Sequence, residues 1–249
     1  MGQRSRRIIQ GKLIDVFMIM LVSMIMIPLL VATVADFVVR LTNSEVITES
    51  IVTMVAMLVQ ELSFIWLTIK VVLTSGYKIV DIGLHLDTWF RDLLLGILGA
   101  IGLLLINSFG GRFSIWIFEV LFSQEQVAAL MERENSVIVE LLQPSQPMGQ
   151  FVFLLLLVGV LAPIAEEVFF RGYAYSVLRS KWGSTIAAVV TSLVFAMVHL
   201  YTIHFLPIYL LGLALCYLYE RSKSLVPAII AHGAMNLVIA WLTYSQGLI

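Results

Sequence analysis

Long apolar stretches separated by short polar connections dominate this chain of 249 residues. A helix that crosses the hydrocarbon core of a bilayer needs about 20 mainly apolar residues. Uninterrupted runs of this length exclude the alternating pattern of a membrane β-barrel, so they predict α-helices, which satisfy their own backbone hydrogen bonds in lipid. Seven stretches qualify: 13–35, 51–73, 93–109, 150–170, 184–201, 205–220 and 225–243.

The third stretch and the segment after it leave the number of crossings open. The third stretch could continue as far as Phe118, and an eighth, partial membrane helix could lie there or in 119–142. Glutamates and apolar residues are mixed through 119–149, which is typical of one or two amphipathic helices that cap the membrane surface and end at Pro144 and Pro147. We therefore predict an all-α fold, a polytopic helical membrane protein with seven to eight transmembrane helices.

Composition supports lipid as the main solvent of this chain. Hydrophobic residues make up 60% of it and charged residues 12%, whereas soluble domains average about 45–50% and about 25%. The net charge of −1 gives no indication of nucleic acid as a partner. The single cysteine, Cys216, has no partner for an internal disulfide. Gly96, Gly99 and Gly102 recur every three residues and predict a close contact between helices.

The distribution of lysine and arginine predicts how the helices are oriented. With the N-terminus in the cytoplasm and seven crossings, only Arg40, Arg112 and Arg133 fall outside, which leaves 12 of the 15 basic residues inside. The first stretch is longer than the ~7–15-residue core of a signal peptide, so we expect it to be retained as a membrane anchor. The small size and the lack of a retention signal favour a bacterial plasma membrane.

Two adjacent carboxylates, Glu166 and Glu167, lie in the fourth stretch, where ionisable groups are costly to insert and are functional candidates by default. Arg171 lies four residues after Glu167, which places both on one face of an α-helix in the favourable order for an ion pair. Glu166 points about 100° away and is left free for another partner. We predict a Glu167–Arg171 pair that is either purely structural or supports a site.

The position of His199, at the end of the fifth stretch, depends on a predicted turn. His199 follows Glu166 by 33 residues, and the midpoint between them falls at Trp182 and Gly183. The sequence around this midpoint combines a glycine with Ser184, which can cap the N-terminus of a helix. If two helices fold back at this turn, Glu166 and His199 lie at about the same depth in the membrane.

The last stretch adds His232 and Asn236, which are four residues apart and share a helix face. Pro227 fits the first turn of this helix, so His232 lies roughly 8–10 Å into it, a depth compatible with that of Glu166. A glutamate and a histidine can together hold and deprotonate a water. A second histidine and an asparagine can donate hydrogen bonds to a developing oxyanion. This combination suits hydrolysis of a peptide or amide bond just below the cytoplasmic face.

These residues lie in three sequence motifs. EEVFFR at 166–171 has the pattern Glu-Glu-x-x-x-Arg, FAMVH at 195–199 has Phe-x-x-x-His, and HGAMN at 232–236 has His-x-x-x-Asn. In this order, on separate helices, they resemble the motifs of the CPBP family. That family comprises CAAX prenyl endopeptidases of the Ras-converting type and bacteriocin-processing or immunity relatives, also called Abi proteins. The resemblance covers about 150–245, whereas 1–149 matches only as hydrophobic helices.

The resemblance implies an intramembrane protease. Glu166 would be the catalytic base and share the water with His199, while His232 and Asn236 would stabilise the oxyanion; the neighbouring ion pair would support the site. The sequence has no internal repeat and no low-complexity linker, so we predict one integral membrane domain, 1–249, with N-terminal helices and an amphipathic outer segment at 1–149 and the catalytic core at 150–245. Its partners would be the lipid bilayer and a membrane-associated protein or peptide substrate, prenylated or not.

The sequence favours metal-free hydrolysis over a zinc-dependent mechanism. No His-Glu-x-x-His motif is present, so zinc rests only on a loose cluster in which Glu166, His199 and His232 would be the ligands. The family that the motifs resemble is described as glutamate-dependent, although it was once treated as zinc metalloproteases. We therefore expect metal-free hydrolysis and no cofactor.

Two other functions stay open from the sequence. A non-catalytic membrane scaffold or bacteriocin immunity protein of the same family would keep its activity when Glu166 is replaced. A small transporter rests on Glu61 in the second stretch, for which an internal hydrogen-bond partner or shielding from lipid is the favoured explanation, and the sequence lacks any inverted-repeat signal. His85 and His204 are expected in loops, without a catalytic role.

Overall fold

The computed structural model describes residues 9–42, 48–142 and 147–246. Residues 1–8, which carry three of the arginines counted above, and Pro144 lie outside the described residues. Within the described ranges the fold is all-α, as predicted. Its helices are α1 (Leu13–Thr42), α2 (Glu49–Thr74), α3 (Trp89–Leu121), α4 (Gln124–Leu141), α5 (Met148–Val198), α6 (Phe205–Ser222) and α7 (Val226–Gln246).

Five of the described helices, α1, α2, α3, α5 and α7, are long and apolar enough to cross a membrane. The chain is therefore a multi-pass helical membrane protein. The third predicted stretch continues well beyond residue 109, since α3 is a single helix of 33 residues. The segment after it contains α4, whose 18 residues include two buried apolar side chains, Val127 and Leu141. The total of seven to eight crossings stays a prediction.

Helix α5 consists of two antiparallel arms joined at Gly183. Gly183 has φ 79° and ψ 170°, which is not a helical conformation, and glycine adopts such a positive φ more readily than other residues. The ring of Phe170 in the first arm (148–182) packs against the ring of Phe195 in the second arm (184–198), with 5.1 Å between ring centroids. The chain therefore folds back at the predicted turn.

Helix α7 packs against α3 through small residues. A Cβ at Gly96 of α3 would lie 2.6 Å from Ile230, and one at Gly99 would lie 3.0 Å from Ala231. A Cβ at Gly102 would have no neighbouring atom within 4 Å. The contact predicted from the glycine spacing is thus confirmed for two of the three positions. This contact fixes α7, which carries the third motif, within the helix bundle.

The same helix meets the first arm of α5 backbone to backbone. A Cβ at Gly233 would collide with the carbonyl oxygen of Gly159, so we expect Gly233→Ala to destabilise the fold by roughly 1–3 kcal/mol. Gly111→Ala is the matched control, because a Cβ there meets no atom within 4 Å and alanine favours a helix. Thermal unfolding in detergent compares the two variants, and equal stability would contradict the backbone contact.

Candidate active site

The first arm of α5 is π-helical on both sides of Glu166. The segments Leu157–Leu161 and Glu167–Tyr175 have π-helical hydrogen bonding, and all nine residues of the second segment are buried. π-helical turns are rare, and they are frequent at functional sites because they change the direction of side chains relative to an α-helix. The candidate site is thus built on a stretch of unusual backbone geometry.

The predicted ion pair is present. Nη1 of Arg171 donates to Oε1 of Glu167 over 2.7 Å, and neither side chain has any exposed surface. Nη2 of Arg171 also donates to the carbonyl of Gly212 over 3.3 Å, and the guanidinium lies 4.5 Å from the ring centroid of Phe195. A buried charge pair is stable only when such contacts offset its desolvation. Arg171 is therefore held by α5, by α6 and by an aromatic face.

Glu167 has a second partner, His232 of α7. Nδ1 of His232 lies 3.0 Å from the same Oε1 that accepts from Arg171, and Nε2 of His232 lies 3.8 Å from Oε2 of Glu166. Because an ion-paired carboxylate can only accept, Nδ1 carries a hydrogen and donates it to Glu167. Glu167 thereby sets the tautomer and orientation of His232, whose Nε2 is directed at Glu166.

Glu166 is more accessible than the two residues that flank it in space. Its side chain is 19% exposed, whereas that of Glu167 is fully buried and that of His232 nearly so. Oε2 of Glu166 has no hydrogen-bond partner within the described residues. Apart from the nearby Nε2 of His232, Glu166 can accept a proton or a hydrogen bond from a further group, and its catalytic role stays a prediction.

A third carboxylate lies close to this cluster on α2. Glu61 is 3% exposed, accepts a hydrogen bond from Gln60 over 3.2 Å and interacts electrostatically with Glu166. The rings of Phe64 and Phe169, whose centroids are 4.9 Å apart, hold α2 against the first arm of α5 just beyond it. The internal hydrogen bond favoured from the sequence is present, and Glu61 adds a buried acid beside the cluster.

His199 lies at the C-terminal end of the second arm, close to the cluster. Its Nδ1 donates to the carbonyl of Phe195 over 2.7 Å, so Nε2 is the nitrogen left for other partners. The ring of Phe195 contacts both histidines, with centroids 4.7 Å from His199 and 6.1 Å from His232. Within the described residues no hydrogen bond or ion pair joins His199 to Glu166. Groups that share a bridging water are separated by it, so their joint role stays a prediction.

Asn236 lies one turn after His232 but faces the backbone of α5. Its Nδ2 donates to the carbonyl of Val158 over 3.0 Å, inside the π-helical segment Leu157–Leu161. One of the two amide hydrogens is thereby used. The predicted oxyanion role would depend on the other hydrogen.

The described residues do not form a metal site. No three histidine, cysteine, aspartate or glutamate side chains among them are arranged to hold a metal ion. Of the residues predicted as zinc ligands, Glu166 and His232 are close together, whereas no hydrogen bond or ion pair within the described residues joins His199 to either of them. No metal site is therefore assigned, and metal-free hydrolysis stays a prediction.

The other two histidines lie in connections between helices, as predicted. Nε2 of His85 lies 3.3 Å from the carbonyl oxygen of Lys223. Nδ1 of His204 lies 2.6 Å from Oε2 of Glu134, which is 70 positions away in α4. This last contact has no local sequence signal and was not predicted.

Fold and site together define a class of protein: a multi-pass α-helical membrane protein with a buried carboxylate–histidine cluster among its helices. Residues 148–238 match the family model described as type II CAAX prenyl endopeptidase Rce1-like. The matched region contains all six residues predicted for the site. The family resemblance predicted from the three motifs is therefore confirmed.

Curated relatives are similar to parts of this chain. "Putative membrane peptidase YdiL" of Bacillus subtilis is 25% identical over 187 residues, which cover 75% of this chain and 68% of that protein. The UPF0177 proteins YxdF and YbdI of Lactococcus lactis are 27% and 32% identical over 32% and 35% of this chain. These two matches span slightly under half of each relative, 45% and 47%. No solved structure matches this chain.

Proposed function

We propose that this protein is an intramembrane endopeptidase that hydrolyses peptide bonds with a water activated by Glu166. The geometry of His232 gives this proposal its main support. Nδ1 of His232 is hydrogen-bonded to Glu167, and its Nε2 lies 3.8 Å from Oε2 of Glu166, an oxygen that accepts no hydrogen bond within the described residues. A base, an oriented histidine and the group that orients it are the parts that hydrolysis of an acyl bond requires. The match to a prenyl endopeptidase family model supports the same reaction class.

In the proposed reaction, a water held by Glu166 and His199 loses a proton to Glu166 as its oxygen attacks the carbonyl carbon of the peptide bond. The tetrahedral oxyanion accepts hydrogen bonds from Nε2–H of His232 and Nδ2–H of Asn236. Because Nδ1 of His232 already donates to Glu167, donation from Nε2 requires the doubly protonated ring. The C–N bond then breaks, and Glu166 passes its proton to the leaving amine.

The proposed substrate is a membrane-associated protein or peptide, because the site residues lie on helices long and apolar enough to cross the bilayer. The family description refers to prenylated CAAX proteins, so a prenylated substrate is one form of this proposal. The proposal includes a plasma-membrane location with a cytoplasmic N-terminus, which the distribution of basic residues supports.

Mass spectrometry of peptide termini in the membrane proteome tests the proposed function. Cells that express the wild-type protein are expected to contain new termini that are missing from cells expressing Glu166→Gln. Glu125→Gln, which changes an exposed glutamate of α4 in the same way, is the control and should keep those termini. Identical termini in wild-type and Glu166→Gln cells would reject the protease. Full biological activity of Glu166→Gln would then favour the scaffold.

A further inference from the structure

Helix α4 reaches the linker that follows His199 through one carboxylate. Oε1 of Glu134 accepts from the backbone N–H groups of Thr202 and Ile203, the latter over 2.8 Å. Oε2 accepts from the backbone N–H of His204 over 3.2 Å and from its Nδ1 over 2.6 Å. The side chain of Glu134 is only 6% exposed. A single carboxylate therefore takes all of its hydrogen bonds from three consecutive residues of this linker.

This carboxylate lies at the N-terminal end of helix α6, and the backbone N–H groups that it binds belong to the three residues before Phe205. A negative charge at the N-terminal end of a helix is favourable. Burial alone would raise the pKa of Glu134, but the hydrogen bonds from Ile203, Thr202 and His204 together hold the pKa below its ordinary value. Glu134 is therefore ionised at neutral pH, and its hydrogen bonds are charge-assisted.

The linker, residues 200–204, is short and is anchored at both ends. At its start, Nδ1 of His199 is bound to the carbonyl of Phe195, and Leu200 has a left-handed φ of 58°. Near its end, Oγ of Ser114 in α3 donates to the carbonyl of Ile203, which is fully buried. Glu134 and His199 are thus joined by a five-residue connection that is held at both ends.

We propose that Glu134 is a positioning residue for His199: by holding the 200–204 linker, it fixes the orientation in which the His199 ring meets the site. The effect on cleavage rests on the proposed function, whereas the effect on the ring of His199 does not. Helix α4 is then part of the active-site scaffold, and not only the cap at the membrane surface that its amphipathic pattern predicted.

Kinetics of Glu134→Gln test the proposal. Glutamine keeps the size of the side chain, but its amide nitrogen cannot accept from His204. We expect kcat to fall about ten- to hundredfold with little change in KM, because small misplacements of a catalytic group have effects of this size. In a His199→Ala background the same substitution should cause no further loss. Glu132→Gln, at an exposed position of the same helix, is the matched control and should leave kcat unchanged.

Nitrogen-15 NMR of histidine-labelled protein provides a readout that does not need proteolysis. The chain has four histidines, and Glu134→Gln should shift the ring signals of His199 and His204 while those of His85 and His232 stay in place. Ser114→Ala, which removes the other anchor, should shift His199 in the same way if Glu134→Gln does not fold. An unchanged His199 signal, or equal losses of kcat with and without His199, would overturn the proposal. A shift of His199 in a protein without protease activity would support the positioning and reject only the proposed function.

Discussion

Replacing Arg171 with methionine is expected to lower the free energy of unfolding by about 3–5 kcal/mol, because it leaves a buried carboxylate without its ion partner. Nη1 of Arg171 lies 2.7 Å from Oε1 of Glu167, and neither side chain has exposed surface. The substitution also removes the hydrogen bond from Arg171 to Gly212 and the contact with the ring of Phe195. Equilibrium unfolding of the purified protein in mixed micelles, followed by helical circular dichroism, measures this loss.

Two controls separate the buried charge from the loss of the side chain. The double variant Glu167→Gln/Arg171→Met should recover much of the stability, because no charge is then left unpaired. Arg40→Met breaks a pair with Asp36 whose side chains are 77% and 61% exposed, and such pairs contribute at most about 1 kcal/mol. If Arg171→Met were no more destabilising than Arg40→Met, the buried pair would not be holding the fold together.

Sequence spacing predicted the contacts that depend on local geometry. The Glu167–Arg171 pair follows from a separation of four residues on a helix, and the structure contains it. The turn at Gly183 follows from a glycine beside a serine that can cap a helix, and its φ of 79° agrees with that choice. Such features require knowledge of only one helix or one turn.

Contacts between distant segments could not be predicted in this way. Hydrophobic periodicity shows which face of a helix is buried, but not which polar group lies on the neighbouring helix. Glu167 and His232 are 65 positions apart, and Glu134 and His204 are 70 apart. The sequence therefore identified the residues of the cluster without showing that Glu167 orients the ring of His232.

Backbone geometry is the second reason why the sequence did not predict every contact of the site. The apolar pattern predicts a regular α-helix throughout the fourth stretch, whereas Glu167–Tyr175 is π-helical, although the Glu167–Arg171 pair still forms. The wider turn changes where each following side chain points. Asn236 donates to the carbonyl of Val158 in the preceding π-helical segment, a partner that its spacing from His232 does not show. The position of a π-helical turn depends on tertiary packing, and hydrophobic periodicity alone does not give it.

Glu166→Gln and His232→Ala are each expected to lower kcat/KM by about 10²–10⁴-fold, the usual contribution of a general base or an oxyanion donor. The two variants combined should lose no more than the more damaging one alone, because groups that act on one transition state as a unit are not additive. The 3.8 Å between Nε2 of His232 and Oε2 of Glu166 is the structural reason to expect this coupling.

The kinetics would use a peptide identified by the comparison of termini, with circular dichroism to confirm that each variant folds. His85→Ala is the matched control, since His85 lies in a connection, where its Nε2 is near the carbonyl oxygen of Lys223, and belongs to none of the three motifs. Its kcat/KM should equal that of the wild type. Losses that multiply in the double variant would mean that Glu166 and His232 act independently, and the single water-activating site proposed here would then be wrong. Non-additive losses would instead show that Glu166 and His232 act in the same reaction step.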